Sequence, residues 1–283
     1  MKLSRPLKIF LNKTLPILGY KVLKNLEFNR IHADLDRLNS YIKWSENLAE
    51  GNFRNHMRSS LLGYASNAQM QQDLIALYVH TLHSKEPGYF VEFGATDGKT
   101  YSNTLLLEER FAWTGILAEP AKRWQRDLEL NRNCVLDTRC VWRKTGEMLE
   151  FFEVQSAEYS TLAVFSESDR HAGLRTRRKS YFVETVTLED LLKAYNAPKT
   201  ISYLSIDTEG SELEIIRDFN FHKYDFNFIT IEHNYSNNRQ AIFDLLSKNG
   251  YRRILSELSE WDDWYVKECE ETRDFLRLIS AEN

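Results

Sequence analysis

The chain is short of several things, and each shortage narrows its class. No run of about 18 apolar residues occurs, the length a spanning helix requires, so a transmembrane helix is not expected. The three cysteines, Cys134, Cys140 and Cys269, are scattered and odd in number. They form neither a disulfide framework nor a Cys-x-x-Cys metal knuckle, which fits a reducing compartment. Internal repeats and low-complexity linkers are absent. Charge of one sign is also scarce: the net charge is −4 and the isoelectric point near 6.0. Nothing therefore draws the whole chain toward nucleic acid, and any anion site must be local.

What is present suits a globular enzyme-sized domain. The 283 residues fit one large domain or a domain with an appendage, and 42% hydrophobic with 13% aromatic residues supplies a core. The first 27 residues carry six Lys or Arg before the first acid, Glu27, with Leu, Ile and Phe interleaved. Lys8 and Lys13 break the apolar core that a secretory signal needs. Such a segment suits the anionic surface of a membrane. It suits equally a short helix packed on the domain, and Pro6, Pro16 and Gly19 interrupt any longer one. Residues 28 to 85 show apolar spacings of three and four and read as helical, either a dimerisation arm or a cap. The expected division is a basic helical extension over 1–64 and a main domain over 65–283.

From residue 89 the texture becomes alternating strand and helix. Strands are expected at YFVEF, GILAEP, CVLDTRCVW, ISYLSID, FNFITIEHN, YRRILSEL and DWYVKE, with MLEFFEV and YFVETVTL pairing around a basic loop. Helices are expected at NTLLLEERF, AKRWQRDLELNRN, TLEDLLKAY, SELEIIRDF and RQAIFDLLSKN. TLEDLLKAY opens with Thr187 and has Asp190 three residues on, close to a capping box. Short apolar strands alternating with helices imply a parallel sheet covered on both faces, which binds ligands at the carboxyl ends of its strands.

Those ends are rich in chemistry. After the first strand stands Glu92-Phe-Gly94-Ala-Thr-Asp-Gly98, where two glycines permit a tight turn beside a ligand. Glu119 ends the second strand 21 residues after Gly98, a spacing at which an acid accepts ribose hydroxyls. Position 96 is Thr and a third glycine in register is missing, so this is no dinucleotide fingerprint. An adenosine ligand without pyrophosphate fits better. The fourth strand leads into Asp207-Thr-Glu209-Gly210, and the fifth into Glu232-His233-Asn234. Charged groups at buried strand ends need partners, and this cluster suits a general base or an oxygen-rich divalent metal site. Glu212 and Glu214, further along, read as a solvated helical face.

These stretches, with ELNRNC and the upstream AQMQQDLIA, resemble the FkbM family of S-adenosylmethionine-dependent O-methyltransferases over roughly residues 65 to 267. The resemblance implies the class I methyltransferase fold: a Rossmann-like three-layer α/β sandwich whose mostly parallel seven-stranded sheet ends in an antiparallel strand. It implies S-adenosylmethionine held by Glu92, Gly94, Ala95, Asp97, Gly98, Ser102 and Asn103 in the turn and by Glu119 and Pro120 at the ribose. Asp137, Cys140 and Val141 would lie near the adenine, and Asp207 and Glu209 near the methyl donor and the acceptor hydroxyl. Many members carry Asn in the glycine turn where this chain has Thr96.

Methyl transfer is an in-line displacement, so the protein must align the acceptor oxygen and remove its proton. His233 is the first expectation for that base, and Asp207 the second. Were Mg2+ bound, Asp207, Glu209 and Glu232 would be its ligands; the same carboxylates could instead meet the cofactor's ammonium. Residues 170 to 179 carry Arg170, Arg175, Arg177, Arg178 and Lys179 with no acid among them. This loop reads as a receptor for an anionic acceptor or as a solvated surface. Tyr159, Ser160, Glu232 and Asn234 complete the expected acceptor side. The expected acceptor is an acidic sugar of a surface glycan or glycolipid precursor. The expected location is cytoplasmic, at the inner face of a membrane, with no nucleic-acid partner and a homodimer as one use of the helical arm. Two alternatives stay open: a nicotinamide-dependent sugar-modifying oxidoreductase, and a non-catalytic interaction module on the same fold.

Overall fold

The computed structural model describes residues 66–154, 160–165 and 178–280. The expected extension over 1–64 lies outside them. Helix α1 (Gln72–His83) leads into strand β1 (Tyr89–Phe93), followed by α2 (Leu105–Phe111), β2 (Thr114–Ala118), α3 (Gln125–Asn131) and β3 (Val135–Asp137). A smaller sheet comes next: β4 (Cys140–Val141), β5 (Met148–Val154), β6 (Thr161–Leu162), one 3-10 turn (Ala163–Phe165) and β7 (Arg178–Val186). The chain returns through α4 (Leu188–Ala194), β8 (Thr200–Ile206), α5 (Glu212–Ile216), β9 (Asp225–Glu232), α6 (Asn238–Lys248), β10 (Tyr251–Ile254), β11 (Asp262–Lys267) and α7 (Arg273–Ser280).

The main sheet has seven strands in the order β10-β11-β9-β8-β1-β2-β3. β3, β2, β1, β8 and β9 run parallel, and β11 is antiparallel to both β9 and β10. This is the class I methyltransferase fold. The last strand is antiparallel as expected, and it inserts between β9 and β10 rather than closing the edge. Strands such as β1 and β8 are apolar on both faces because both faces are covered. On one face Val91, Phe93, Leu204 and Ile229 pack with Leu191 of α4, Ile216 of α5 and Ile242 of α6. On the other, α1 lies against β8 and β9 and buries Leu74, Ile75 and Val79. Parallel strands all end on one side, so β1, β2, β8 and β9 open onto a common edge.

Two expectations need correction, and a third element was not foreseen. CVLDTRCVW is not one strand. The carboxylate of Asp137 accepts the backbone N–H of Arg139 at 2.8 Å, which turns the chain; β4 then joins the second sheet and pairs parallel to β7. AKRWQRDLELNRN and SELEIIRDF are helical over 7 and 5 residues only. Helix α7 has Phe275, Leu276 and Ile279 at helical spacing and buries all three. The strand pair around the basic loop is present, β5 and β7 running antiparallel from Met148↔Glu184 to Val154↔Arg178. Thr187 caps α4, its hydroxyl accepting Asp190 N–H at 3.1 Å.

Candidate functional site

Four strand ends meet at one mouth, and backbone contact joins two of them. Gly94 follows β1 with φ +76°, and a Cβ placed there would lie 1.7 Å from the Asp207 carbonyl oxygen. Only glycine permits the two exits to touch. Thr96 also takes positive φ, 47°, which is unusual for a β-branched residue. Its N–H donates to Glu119 Oε2 at 3.1 Å, and Ala121 N–H, just past Pro120, donates to Oε1 at 2.8 Å. Glu119 thus fastens the turn after β1 to the loop after β2. Burial pushes its carboxyl up to about 7, the two amides opposing the shift. Each oxygen keeps room for a second donor. Asp97 serves the turn itself, accepting the N–H groups of Lys99 and Thr100 at 2.9 and 2.6 Å, while Ala95 O accepts Gly98 N–H.

Beneath the turn, Glu92 does not look into open space. It accepts Ser102 Oγ at 3.1 Å and Asn103 N–H at 2.8 Å, and Arg132 stands 3.6 Å away. Arg132 also pairs with Glu108 at 2.6 Å and donates to Gly98 O at 3.2 Å. Glu92 and Ser102 therefore buttress the turn through a buried arginine that the motif reading passed over, although it lies within ELNRNC. The available signal was the need of two inward acids for a cation. Asn103 donates to Ser205 Oγ at 2.9 Å, and its Oδ1 is buried without a partner.

The carboxylates do converge. Asp207, Glu209 and Glu232 each offer an oxygen within 4.8 Å of the others. The cause is register: Ile206 of β8 pairs with Ile231 of β9, so the residues that follow are neighbours. Glu209 takes φ 58°, and its carbonyl accepts the Thr161 hydroxyl at 2.8 Å. Gly210 lets Phe165 approach, a Cβ there meeting the Phe165 side chain at 3.0 Å. The small sheet thereby walls the mouth. Glu232 is pushed well above the usual carboxylate range, by burial first and then by the charges of Asp207 and Glu209. Burial, then the charge of Glu212, lifts Asp207 to about 7, and a hydrogen bond with Glu232 opposes this. So many buried carboxyls cannot all ionise at once. The consistent arrangement has Glu232 holding a proton and donating it to an Asp207 carboxylate poised to titrate near neutrality.

Sequence reasoning missed two supports of this cluster. Asp262 of β11 lies opposite Glu232 and is lifted to about 8 by burial and then by Asp207. Gln72 Nε2 donates to it at 2.9 Å. Asp73 accepts Ser66 Oγ at 2.6 Å, and Asn67 Nδ2 donates to Lys99 O at 3.1 Å, which seats the segment before α1 on the glycine turn. The signal was the Gln-Asp pair in AQMQQDLIA, whose partners lie too far away in sequence to identify.

Other expected site residues fall differently. His233 is buried, and both its nitrogens are committed. Tyr235 N–H donates to Nδ1 at 2.9 Å, so the ring proton sits on Nε2, which donates to Asp262 O at 3.1 Å. The imidazole has no free lone pair with which to act as a base. Asn234 donates to Glu232 Oε1 at 2.9 Å and keeps a buried Oδ1 without a partner. Glu212 is not solvated: one oxygen accepts Thr208 N–H at 3.1 Å and Gly210 N–H at 2.9 Å, holding the turn after β8. Glu214 pairs with Arg143 and Arg217. Asp137 is occupied by Arg139 and the Tyr195 hydroxyl, while Cys140 and Val141 pack into apolar clusters. Burial pushes the Cys140 thiol up to about 12. Ser160 accepts Val154 N–H at 3.2 Å, and exposed Arg178 stacks on Phe152 at 3.8 Å. Tyr159, Arg170, Arg175 and Arg177 lie outside the described residues.

The model described as Methyltransferase FkbM domain matches residues 92–269. No curated protein matches. Among solved structures, the FkbM methyltransferase of Methylobacillus flagellatus KT is 12% identical with a TM-score of 0.40, covering 81% of this chain and 58% of that one. The chain thus spans about three-fifths of that protein's length. The precorrin-6y C5,15-methyltransferase of Geobacter metallireducens GS-15 is 11% identical with a TM-score of 0.34, covering 69% and 89%. A fibrillarin/Nop5p complex gives 10% identity and a TM-score of 0.32, covering 69% and 79%. Among the described residues no helix is long and apolar enough to cross a membrane. With its family model extending over more than half the sequence, the chain belongs to the FkbM methyltransferase domain family.

Proposed function

We propose that this chain is a methyltransferase that uses S-adenosylmethionine to methylate a hydroxyl of a sugar, with Asp207 as the base. The observation that carries the reading is the convergence of Asp207, Glu209 and Glu232 within 4.8 Å beside a glycine turn that touches Asp207 through Gly94. The residues fit the cofactor. Glu119 has lone pairs left for ribose hydroxyls, and Asn103 Oδ1 is a buried acceptor suited to an ammonium. An acid-rich mouth favours a cationic ligand and loses that attraction once the charge departs. When bound, the cofactor supplies an electrophilic methyl group. The chain's own residues align the acceptor oxygen and receive its proton at an Asp207 oxygen, while Glu232 holds that carboxylate in place. Mg2+ on the same three carboxylates would polarise the hydroxyl instead, and the rate with and without added Mg2+ distinguishes the two arrangements.

A sugar acceptor is favoured by apolar surface beside this polar centre. Tyr235, 59% exposed, follows Asn234, and Val164, 71% exposed, precedes the Phe165 that packs on Gly210. An aromatic face beside acidic acceptors suits a ring with C–H bonds on one side and hydroxyls at its rim. Arg178 at the start of β7 adds a cation for an acidic sugar, consistent with an envelope glycan precursor made at the cytoplasmic face of a membrane. Calorimetry supplies the first test: S-adenosylhomocysteine should bind and NAD should not, and the reverse would sink the assignment. The second is transfer of a labelled methyl group to extracted envelope glycans. Cofactor binding with no transfer to any hydroxyl acceptor would favour an interaction module.

A further inference from the structure

A second group of ligating side chains stands away from the mouth. β11 runs antiparallel along β9: Asp262 lies opposite Glu232 at the carboxyl end of β9, and Val266 opposite Phe228 nearer its start. The turn after Lys267 therefore belongs to the edge opposite the carboxylate cluster. There His83, the last residue of α1, meets Cys269 and Glu271 from the turn that precedes α7. A ring nitrogen of His83, Cys269 Sγ and a Glu271 oxygen all lie within 4.8 Å of one another. His83 Nε2 is buried and has no hydrogen-bond partner. A buried imidazole nitrogen with nothing to bond is costly unless a ligand completes it.

We propose that His83, Cys269 and Glu271 form a zinc site that clasps the end of α1 to the start of α7. The donor set decides the metal. A nitrogen and a sulfur favour zinc over magnesium or calcium, which take oxygen. Three protein ligands leave a fourth tetrahedral position for water. Ligand atoms on a tetrahedral zinc lie about 3.4 Å apart, given bonds of about 2.0–2.3 Å. Closing from 4.8 Å asks only for side-chain rotation, which the exposed Glu271 permits. The turn is already shaped for it. Thr272 Oγ1 accepts Cys269 N–H at 3.2 Å and donates to Lys267 O at 2.6 Å, fixing the path of the chain around the thiol. Tyr78 of α1 and Phe275 of α7 already touch edge to face, their ring centres 5.4 Å apart. Because the Thr272 hydroxyl gives its hydrogen to Lys267 O, the Cys269 thiol donates its proton to Thr272 Oγ1, at 3.4 Å. Zinc takes the place of that proton, forming an S–Zn bond and releasing H+ to solvent.

Full-length protein stripped of metal and titrated with Co2+ provides the test. One equivalent should bind with a thiolate-to-cobalt charge-transfer band, which the oxygen-only cluster of Asp207, Glu209 and Glu232 has no sulfur to produce. Both His83→Gln and Cys269→Ser should lose the band. Zn2+ should raise the melting temperature of the unaltered chain and protect one thiol from alkylation, and should do neither in Cys269→Ser. The conservative variant Glu271→Gln, on an exposed side chain, guards against misfolding as an explanation: it should stay folded and weaken zinc binding. Saturation with cobalt without the band, or a band that persists in either His83→Gln or Cys269→Ser, overturns the proposal.

Discussion

At the scale of single residues, the histidine at the mouth is bound differently from what its type suggests, with both ring nitrogens engaged. His233→Asn leaves an oxygen to accept Tyr235 N–H but strips Asp262 O of its donor. It should cost about 1–3 kcal/mol of stability, read by denaturant unfolding. With Asp207 as the proposed base, the pH–rate profile of the folded variant should keep its inflection. Asp207→Asn should lower turnover by about 10²- to 10⁴-fold and remove the limb near pH 7, with S-adenosylhomocysteine affinity little changed. If instead His233→Asn erased the limb, the base would be misassigned. The acids themselves were legible in the sequence, since a carboxylate that ends an apolar strand has few reasons to be there except a partner or a reaction. The state of His233 was not legible. It is set by a carbonyl 29 residues away, on a strand whose antiparallel placement brings Asp262 alongside.

Elements explain why the mouth is one site and not several. Gly94→Ala would drive a methyl group into the Asp207 carbonyl and impose a left-handed φ on alanine. It should destabilise the fold by at least about 3 kcal/mol or abolish soluble expression, measured by thermal unfolding. An alanine variant of ordinary stability would mean that the two strand ends stand apart. Parallel β-α units, their order and the β5–β7 ribbon could all be read from the change in periodicity at residue 89. The break between β3 and β4 escaped that reading because CVLDTRCVW keeps strand-like residues throughout. Its turn depends on one side chain, Asp137, folding back onto Arg139. Glu212 escaped for a related reason. A helix as short as α5 has no solvated flank, and its first carboxylate is consumed by the amides of Thr208 and Gly210.

For the molecule as a whole, buried acids set the response to pH. Asp207 and Asp262 move from the ordinary 3.8 to about 7 and about 8, by burial first. The folded chain therefore binds more protons than the unfolded one between pH about 4 and about 8, so unfolding free energy falls as pH rises and levels off above. Each such group contributes a slope of about 1.4 kcal/mol per pH unit in that window. Denaturant midpoints taken from pH 5 to pH 8 should decline, and Asp262→Asn should flatten the decline. A midpoint that climbs over the same range would contradict the burial of these groups. Global charge gave no hint of this, because a net charge of −4 says nothing about which carboxylates fold inward.

The contact between Gly94 and the Asp207 carbonyl has a further consequence for anyone altering the enzyme. The seam between the exits of β1 and β8 leaves no room for even one added methyl group. Loops around the small sheet can be exchanged to retarget the acceptor. The exits of β1 and β8 must be transplanted together or left alone, and directed evolution should find its beneficial changes everywhere except at that seam.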